Sequence, residues 1–113
     1  MKVLDQPEVY ARLDPSGLRE RIARLPDQCW QAWQEGLASH LPSTFAQTQA
    51  VAILGMGGSA IGGDLIAGLA SLGSGPPVTV CRDIRLPGWI GENTLVIVSS
   101  YSGNTEETIA MYR

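Results

Sequence analysis

The sequence predicts a three-layer α/β sandwich, in which helices cover both faces of a parallel β-sheet. Ala50–Leu54 is short and wholly apolar with two β-branched residues, which is typical of a strand buried on both faces. A helical pattern and then a second run rich in β-branched residues, Val78–Arg82, follow it along the chain. This alternation of strand and helix predicts parallel strands joined by right-handed crossover connections.

The rest of this region continues the alternation. The intervening helix is predicted over Ser59–Leu72, and a third strand over Thr94–Ser99. Leu86–Asn93 is rich in proline and glycine, so we expect a surface connection there, anchored by Trp89. A further helix is expected from Asn104. Because the sequence stops inside that helix after only three strands, we expect it to be the N-terminal piece of a longer protein.

Residues 1–48 are predicted to form an N-terminal helical segment. Leu18, Ile22 and Leu25 recur at helical spacing, and Pro26 is expected to end the helix that they form. A second helix is expected from Asp27.

One face of this second helix is apolar. Trp30, Trp33 and Leu37 share it, which predicts packing against a core or a partner subunit. His40 follows the helix without a nearby cysteine or acidic residue, and we interpret it as a surface or capping histidine.

Composition excludes several classes of function. The chain has 113 residues, a net charge of −3 and only eight Lys and Arg residues, which argues against nucleic acid binding. Cys29 and Cys81 lie far apart, so we expect buried free thiols and no metal site. Glycines and Asp64 interrupt the apolar stretch Val51–Leu72, which argues against a membrane span. No secretory signal begins the chain, so a cytoplasmic location is expected.

A glycine-rich loop follows the first predicted strand. Gly55-x-Gly57-x-x-Ala60 satisfies the dinucleotide-binding pattern, and Asp83 follows the second strand, where a ribose-binding acid would lie. Ser59 instead suggests an anion site, because it adds a hydroxyl at the start of a helix. The structural alternative is that Ser59 simply caps that helix. Gly62 and Gly63 weaken a helix, which suggests close approach of a strand or a ligand.

A second polar loop follows the third strand. Ser100, Ser102 and Thr105 place hydroxyl groups around Gly103 just before a predicted helix, a pattern that suits a phosphate dianion. The structural alternative is that Asn104 or Thr105 caps the helix while Ser102 closes a turn. Glu106 and Glu107 are interpreted as acids that favour the helix dipole. Two such loops on one sheet predict a single pocket for a phosphate ester.

Three segments together resemble the N-terminal part of the bifunctional phosphoglucose/phosphomannose isomerases: GMGGSAIGGDL at 55–65, RDIRLPGW at 82–89 and SYSGNTEET at 100–108. The pattern at 100–108 resembles one that the wider sugar isomerase domain superfamily shares. The pattern at 55–65 narrows the resemblance to the bifunctional isomerase family. The resemblance implies that residues 49–113 are the first part of a sugar isomerase domain, truncated at its C-terminal end. It also implies a five-stranded parallel sheet of order 2-1-3-4-5 and a homodimer.

Carried over by motif, the resemblance implies sugar phosphate contacts from Gly58, Ser59, Ser100, Ser102 and Thr105. The family interconverts glucose 6-phosphate or mannose 6-phosphate with fructose 6-phosphate by moving a proton between C1 and C2. The resemblance implies no metal or nucleotide cofactor. The family's catalytic glutamate, histidine and lysine lie beyond the equivalent of the chain's last residue, so no residue here is assigned as catalytic and the fragment alone is expected to be inactive.

Two other functions remain open from the residues. A sugar-phosphate-sensing domain of a regulator would use the same loops without a catalytic base. A dinucleotide-binding oxidoreductase would bind its cofactor through the first loop alone. Such a fold does not need the hydroxyl groups of the second loop.

Overall fold

The computed structural model describes residues 6–104 and 106–112. The chain forms two compact units, Met1–Leu41 and Pro42–Arg113. The predicted domain boundary between residues 48 and 49 stays a prediction. None of the described helices is both long and apolar enough to cross a membrane.

The first unit is helical. It contains α1 (Pro7–Leu13), α2 (Leu18–Ala23) and α3 (Leu25–Ala38). The predicted helix break before Pro26 is confirmed, because α2 ends at Ala23, but Leu25, which was expected in the same helix as Ile22, belongs to α3. Pro26 lies in the first turn of α3, where a proline is tolerated because the first N–H groups of a helix have no partner within it. α3 thus begins two residues before Asp27, near which its start was predicted.

A charged side chain caps the N-terminus of α2. The two carboxylate oxygens of Asp14 accept hydrogen bonds from the N–H groups of Leu18 and Arg19, at 2.8 Å each, and the Ser16 hydroxyl donates a third at 3.1 Å. These bonds, above all the one from Arg19, lower the pKa of Asp14. Asp14 thus supplies the cap that Gly17, which has no side chain, cannot.

The apolar stripe of α3 is exposed. Trp30, Trp33 and Leu37 are exposed by 65%, 61% and 66%. The predicted packing of these side chains is therefore not formed within the part of the chain that the structure describes. His40 is exposed, as predicted.

The second unit contains the predicted parallel sheet. A 3-10 helix (Ser43–Gln47) leads into β1 (Ala50–Gly55), α4 (Gly58–Ala70), β2 (Val78–Cys81), β3 (Thr94–Ser99) and α5 (Glu106–Tyr112). The strand order is β2-β1-β3, and both pairings are parallel. The α/β class and the central position of β1 are confirmed.

Each face of the sheet carries a helix. Ala52 and Leu54 of β1 are fully buried and cluster with Cys81, and Val98 lies beside Leu54 in the register with β3. The side chains of α5 meet this face, because Thr108 lines a cavity together with Val98. α4 covers the opposite face of the sheet. The remaining side chains of β1 point to that face, because successive side chains of a strand point to opposite sides.

Gly63 sets the distance between α4 and the sheet. A Cβ atom at this position would lie 3.0 Å from Ile53 Cγ2 and 3.1 Å from Val80 Cγ2. Ile53 and Val80 are register partners on β1 and β2, so the helix crosses directly over both strands. The prediction that Gly63 permits close approach of a strand is confirmed, whereas a Cβ at Gly62 would meet nothing within 4 Å.

The connection before β3 differs in one detail from the prediction. Trp89 is 47% exposed, whereas its neighbour Ile90 packs against the cluster of Ala52, Leu54 and Cys81. Ile90 therefore anchors this connection, and the prediction of Trp89 as the anchor is wrong.

We expect different effects from alanine at the two adjacent glycines of α4. Gly62→Ala should stabilise the protein by roughly 0.5–1 kcal/mol, because alanine favours a helix and its methyl group meets open space. Gly63→Ala should lose this gain, and Gly63→Val should destabilise by about 1–3 kcal/mol through overpacking against Ile53 and Val80. Urea denaturation measures both. Equal midpoints for the two alanine variants would show that α4 does not pack as described.

The two thiols should react at different rates. The expectation that both are buried is wrong for Cys29, which is exposed, and correct for Cys81. Burial raises the pKa of the Cys81 thiol and thereby lowers its thiolate fraction near neutral pH. A disulfide reagent should modify Cys29 rapidly and Cys81 slowly under native conditions. The Cys29→Ser variant should retain only the slow phase, which should accelerate as the pH rises; a remaining fast phase would contradict the burial of Cys81.

Candidate functional site

Two polar loops lie side by side at the carboxyl end of the sheet. We call Gly55–Ser59 the glycine loop and Ser99–Asn104 the serine loop. They start at register partners, because Gly55 of β1 pairs with Ser99 of β3. Between them is an open cleft lined by Gly58, Ser59, Ser99, Ser100 and Tyr101. The carboxyl end of a parallel sheet, between adjacent strands, is where α/β folds bind ligands.

The two loops can approach because Gly55 has no side chain. A Cβ atom at Gly55 would lie 3.1 Å from the Ser99 carbonyl oxygen and 3.4 Å from the Ala60 backbone nitrogen. Gly57 then turns the chain into α4 with φ of 52°, a conformation that L residues with a side chain rarely adopt. Gly57 therefore forms the turn between β1 and α4.

Ser59 connects the loops through two hydrogen bonds. The Ser99 hydroxyl donates to the Ser59 carbonyl oxygen at 3.2 Å, and the Tyr101 N–H donates to Ser59 Oγ at 3.2 Å. The alternative that Ser59 caps its own helix is wrong, since α4 begins at Gly58, its N-cap is Gly57, and no side chain caps it. The Ser59 hydroxyl instead holds the backbone of the other loop.

The serine loop is also organised internally. The Gly103 N–H donates to Ser100 Oγ at 3.0 Å, and the Asn104 N–H donates to Ser102 Oγ at 3.3 Å. Gly103 has φ of 65°, which favours glycine at this point. The structural alternative that Ser102 closes a turn is confirmed. The loop is therefore shaped by its own hydroxyl groups.

The structure brings some of the predicted site residues together. Gly58, Ser59 and Ser100 line one cleft. Ser102 belongs to the serine loop but is not among the residues that line the cleft, and Thr105 lies outside the described residues. α5 begins at Glu106, so the predicted helix start at Asn104 is two residues too early.

Two residues of the cleft were missed by sequence reasoning. Ser99, at the junction of its strand and the polar loop, was not among the predicted ligand residues, and Tyr101 lies between two serines that carried the argument. The signal for Ser99 is its place at the end of a strand next to Gly55, which becomes visible only once the register is known.

None of the described residues that line the cleft carries a formal charge. Asp64 of α4 forms an ion pair with Arg82, which follows β2, and Asp83 accepts a hydrogen bond from the Arg85 N–H at 3.3 Å. Across residues 6–104 and 106–112, no three His, Cys, Asp or Glu side chains gather where they could hold a metal ion. An anion in the cleft would thus meet hydroxyl and N–H donors.

We expect Ser59→Ala to loosen the serine loop. The change removes the acceptor of the Tyr101 N–H, and a net hydrogen bond contributes about 0.5–1.5 kcal/mol. Amide hydrogen exchange at Tyr101, followed by NMR, should therefore accelerate about threefold to tenfold. Ser71→Ala is the matched control, because the Ser71 hydroxyl donates to the Gly68 carbonyl at the far end of α4. Unchanged exchange at Tyr101 in Ser59→Ala would refute the link between the loops.

Comparison with known proteins agrees with the motifs. The chain is 42% identical over 94 residues to the bifunctional phosphoglucose/phosphomannose isomerase of Caldicellulosiruptor bescii, covering 83% of this chain and 28% of that protein. Proteins of the same name from Thermoplasma acidophilum and Thermoplasma volcanium are 45% and 40% identical over 60 residues, covering 53% of this chain and 18% and 19% of those proteins.

No protein family profile and no solved structure matches the chain. The chain spans between 18% and 28% of the length of these curated relatives. The resemblance predicted from the three motifs is nevertheless confirmed: in sequence, this chain corresponds to a segment of the bifunctional phosphoglucose/phosphomannose isomerase family.

Proposed function

We propose that the cleft binds the phosphate group of a sugar phosphate. The chain would then be the substrate-binding segment of an isomerase that interconverts glucose 6-phosphate or mannose 6-phosphate with fructose 6-phosphate. The observation that carries the proposal is the convergence of the glycine loop and the serine loop on one cleft with Gly58, Ser59 and Ser100 in its lining. The names of the relatives support the reaction class.

The chemistry of the cleft suits a phosphate ester. Phosphate oxygens accept hydrogen bonds, and the lining supplies serine hydroxyls at Ser59 and Ser100. Gly58 is the first residue of the 13-residue helix α4, whose N-terminus carries partial positive charge. Both contributions act without a cationic side chain. Gly58, Ser59, Ser100, Ser102 and Thr105 are the proposed ligand residues.

The isomerase reaction also needs groups that this cleft does not supply. Moving a proton between C1 and C2 requires a general base, commonly a carboxylate. The described residues that line the cleft include no carboxylate, and Glu106 and Glu107 begin α5, where they favour the helix dipole. We therefore propose that this segment holds and orients the substrate while other parts of the enzyme transfer the proton. The homodimer and the cytoplasmic location remain predictions from the sequence.

Calorimetric titration of the full-length protein tests the proposal. Fructose 6-phosphate should bind, and NAD should not. Ser102→Ala and Thr105→Ala should each weaken fructose 6-phosphate binding about tenfold to a hundredfold, because a hydrogen bond to a charged group contributes about 1.5–3 kcal/mol. Ser71→Ala, at the other end of α4, should bind as the unchanged protein does.

The competing functions give different results. Tight NAD binding without sugar phosphate binding would contradict the proposal and indicate a dinucleotide-binding domain. The Gly55-x-Gly57-x-x-Ala60 pattern is also compatible with such a domain. Sugar phosphate binding without isomerase activity in the full-length protein would indicate a sensing domain. Full affinity in both the Ser102 and Thr105 variants would mean that the serine loop is only structural.

A further inference from the structure

We propose that Ser99 is a positioning residue of this site, which holds the serine loop against the first turn of α4. The proposal rests on the proposed function, because the role it gives Ser99 is to set the shape of the sugar phosphate cleft. Ser99 lies outside the five residues that the motifs assign to the ligand.

The position of Ser99 gives it this role. It is the last residue of β3, and its backbone lies opposite Gly55 at the end of β1. Its hydroxyl is partly buried and donates to the Ser59 carbonyl oxygen at 3.2 Å. The hydrogen bond therefore runs from the end of β3 to the start of α4, the helix that follows the neighbouring strand β1.

A second bond makes the contact reciprocal. The Tyr101 N–H donates to Ser59 Oγ at 3.2 Å, so the short segment from Ser99 to Tyr101 is attached at both ends to one residue. Ser100, between these two attachments, lines the cleft. Releasing either attachment would let Ser100 move relative to Gly58 and Ser59. A site for a phosphate group tolerates little such movement, because hydrogen bonds weaken steeply with distance and angle.

Loss of the hydroxyl should leave the fold intact. Ser99 pairs with Gly55 through its backbone, and this pairing does not involve the side chain. Ser99→Ala should therefore keep the urea midpoint within the range of the control Ser71→Ala. A purely structural hydroxyl would change stability and leave ligand affinity alone, whereas a positioning hydroxyl changes affinity at constant stability.

The test compares three variants of the full-length protein. Ser99→Ala should weaken fructose 6-phosphate binding about threefold to tenfold and accelerate amide exchange at Tyr101. Ser99→Thr keeps the hydroxyl and should restore both values. Ser71→Ala should change neither.

The outcomes separate this proposal from the proposed function. If the unchanged protein binds fructose 6-phosphate and Ser99→Ala binds it equally well, the positioning role of Ser99 is overturned while the function stands. If Ser99→Ala lowers both the urea midpoint and the affinity for fructose 6-phosphate, and Ser99→Thr does not restore them, the positioning role is also overturned. If the unchanged protein binds no sugar phosphate, the proposed function fails and the positioning role fails with it.

Discussion

The cleft depends on the close pairing of β1 with β3 at their carboxyl ends. Gly55 and Ser99 are register partners, and a single Cβ atom at Gly55 would approach the Ser99 carbonyl oxygen to 3.1 Å. Because both strands run in the same direction, the chain leaves both of them at the same edge of the sheet. Everything that the two loops share follows from this pairing: the hydrogen bonds to Ser59, the common cleft and the place of Ser100 within it.

α4 contributes a second constraint. Its start is fixed by the turn at Gly57, and its second turn is held close to the sheet by Gly63, which lies over Ile53 and Val80. The helix therefore has little freedom to slide or tilt. Ser59 projects from this fixed helix and accepts the Tyr101 N–H, so the more irregular serine loop takes its position from the more rigid element. Sites built on regular elements are held more precisely than sites built on loops alone.

Much of this architecture could be predicted from the sequence because the sheet is strongly patterned. The third strand was predicted with its observed limits, Thr94–Ser99, since apolar β-branched residues end there at a polar loop. Helix limits were predicted less well. Leu25 was expected in the same helix as Ile22 but lies with Pro26 in the first turn of α3, because proline is compatible with that position as well as with a helix end.

The hydrogen bonds of the site could not be predicted from the sequence. A serine near the start of a helix, such as Ser59, has a local partner available within its own helix, and only the three-dimensional arrangement shows that its partner is Tyr101. The same holds for Ser99, whose partner lies on a different loop. Burial is similarly non-local: Cys29 and Cys81 have the same chemistry, and only their surroundings make one exposed and the other buried.

Among the residues that the structure describes, those that line the cleft include no Lys or Arg, and this has a consequence for how an anion reaches it. A cationic site attracts its ligand over roughly a Debye length, about 10 Å at 0.1 M salt, and is weakened as salt is added. Hydroxyl groups and a helix terminus act only near contact, and the chain carries a net charge of −3. Capture of a dianion then receives no long-range attraction from the lining, and the net negative charge of this segment opposes it. Selectivity in such a cleft comes from the fit of donors around the phosphate and not from long-range attraction.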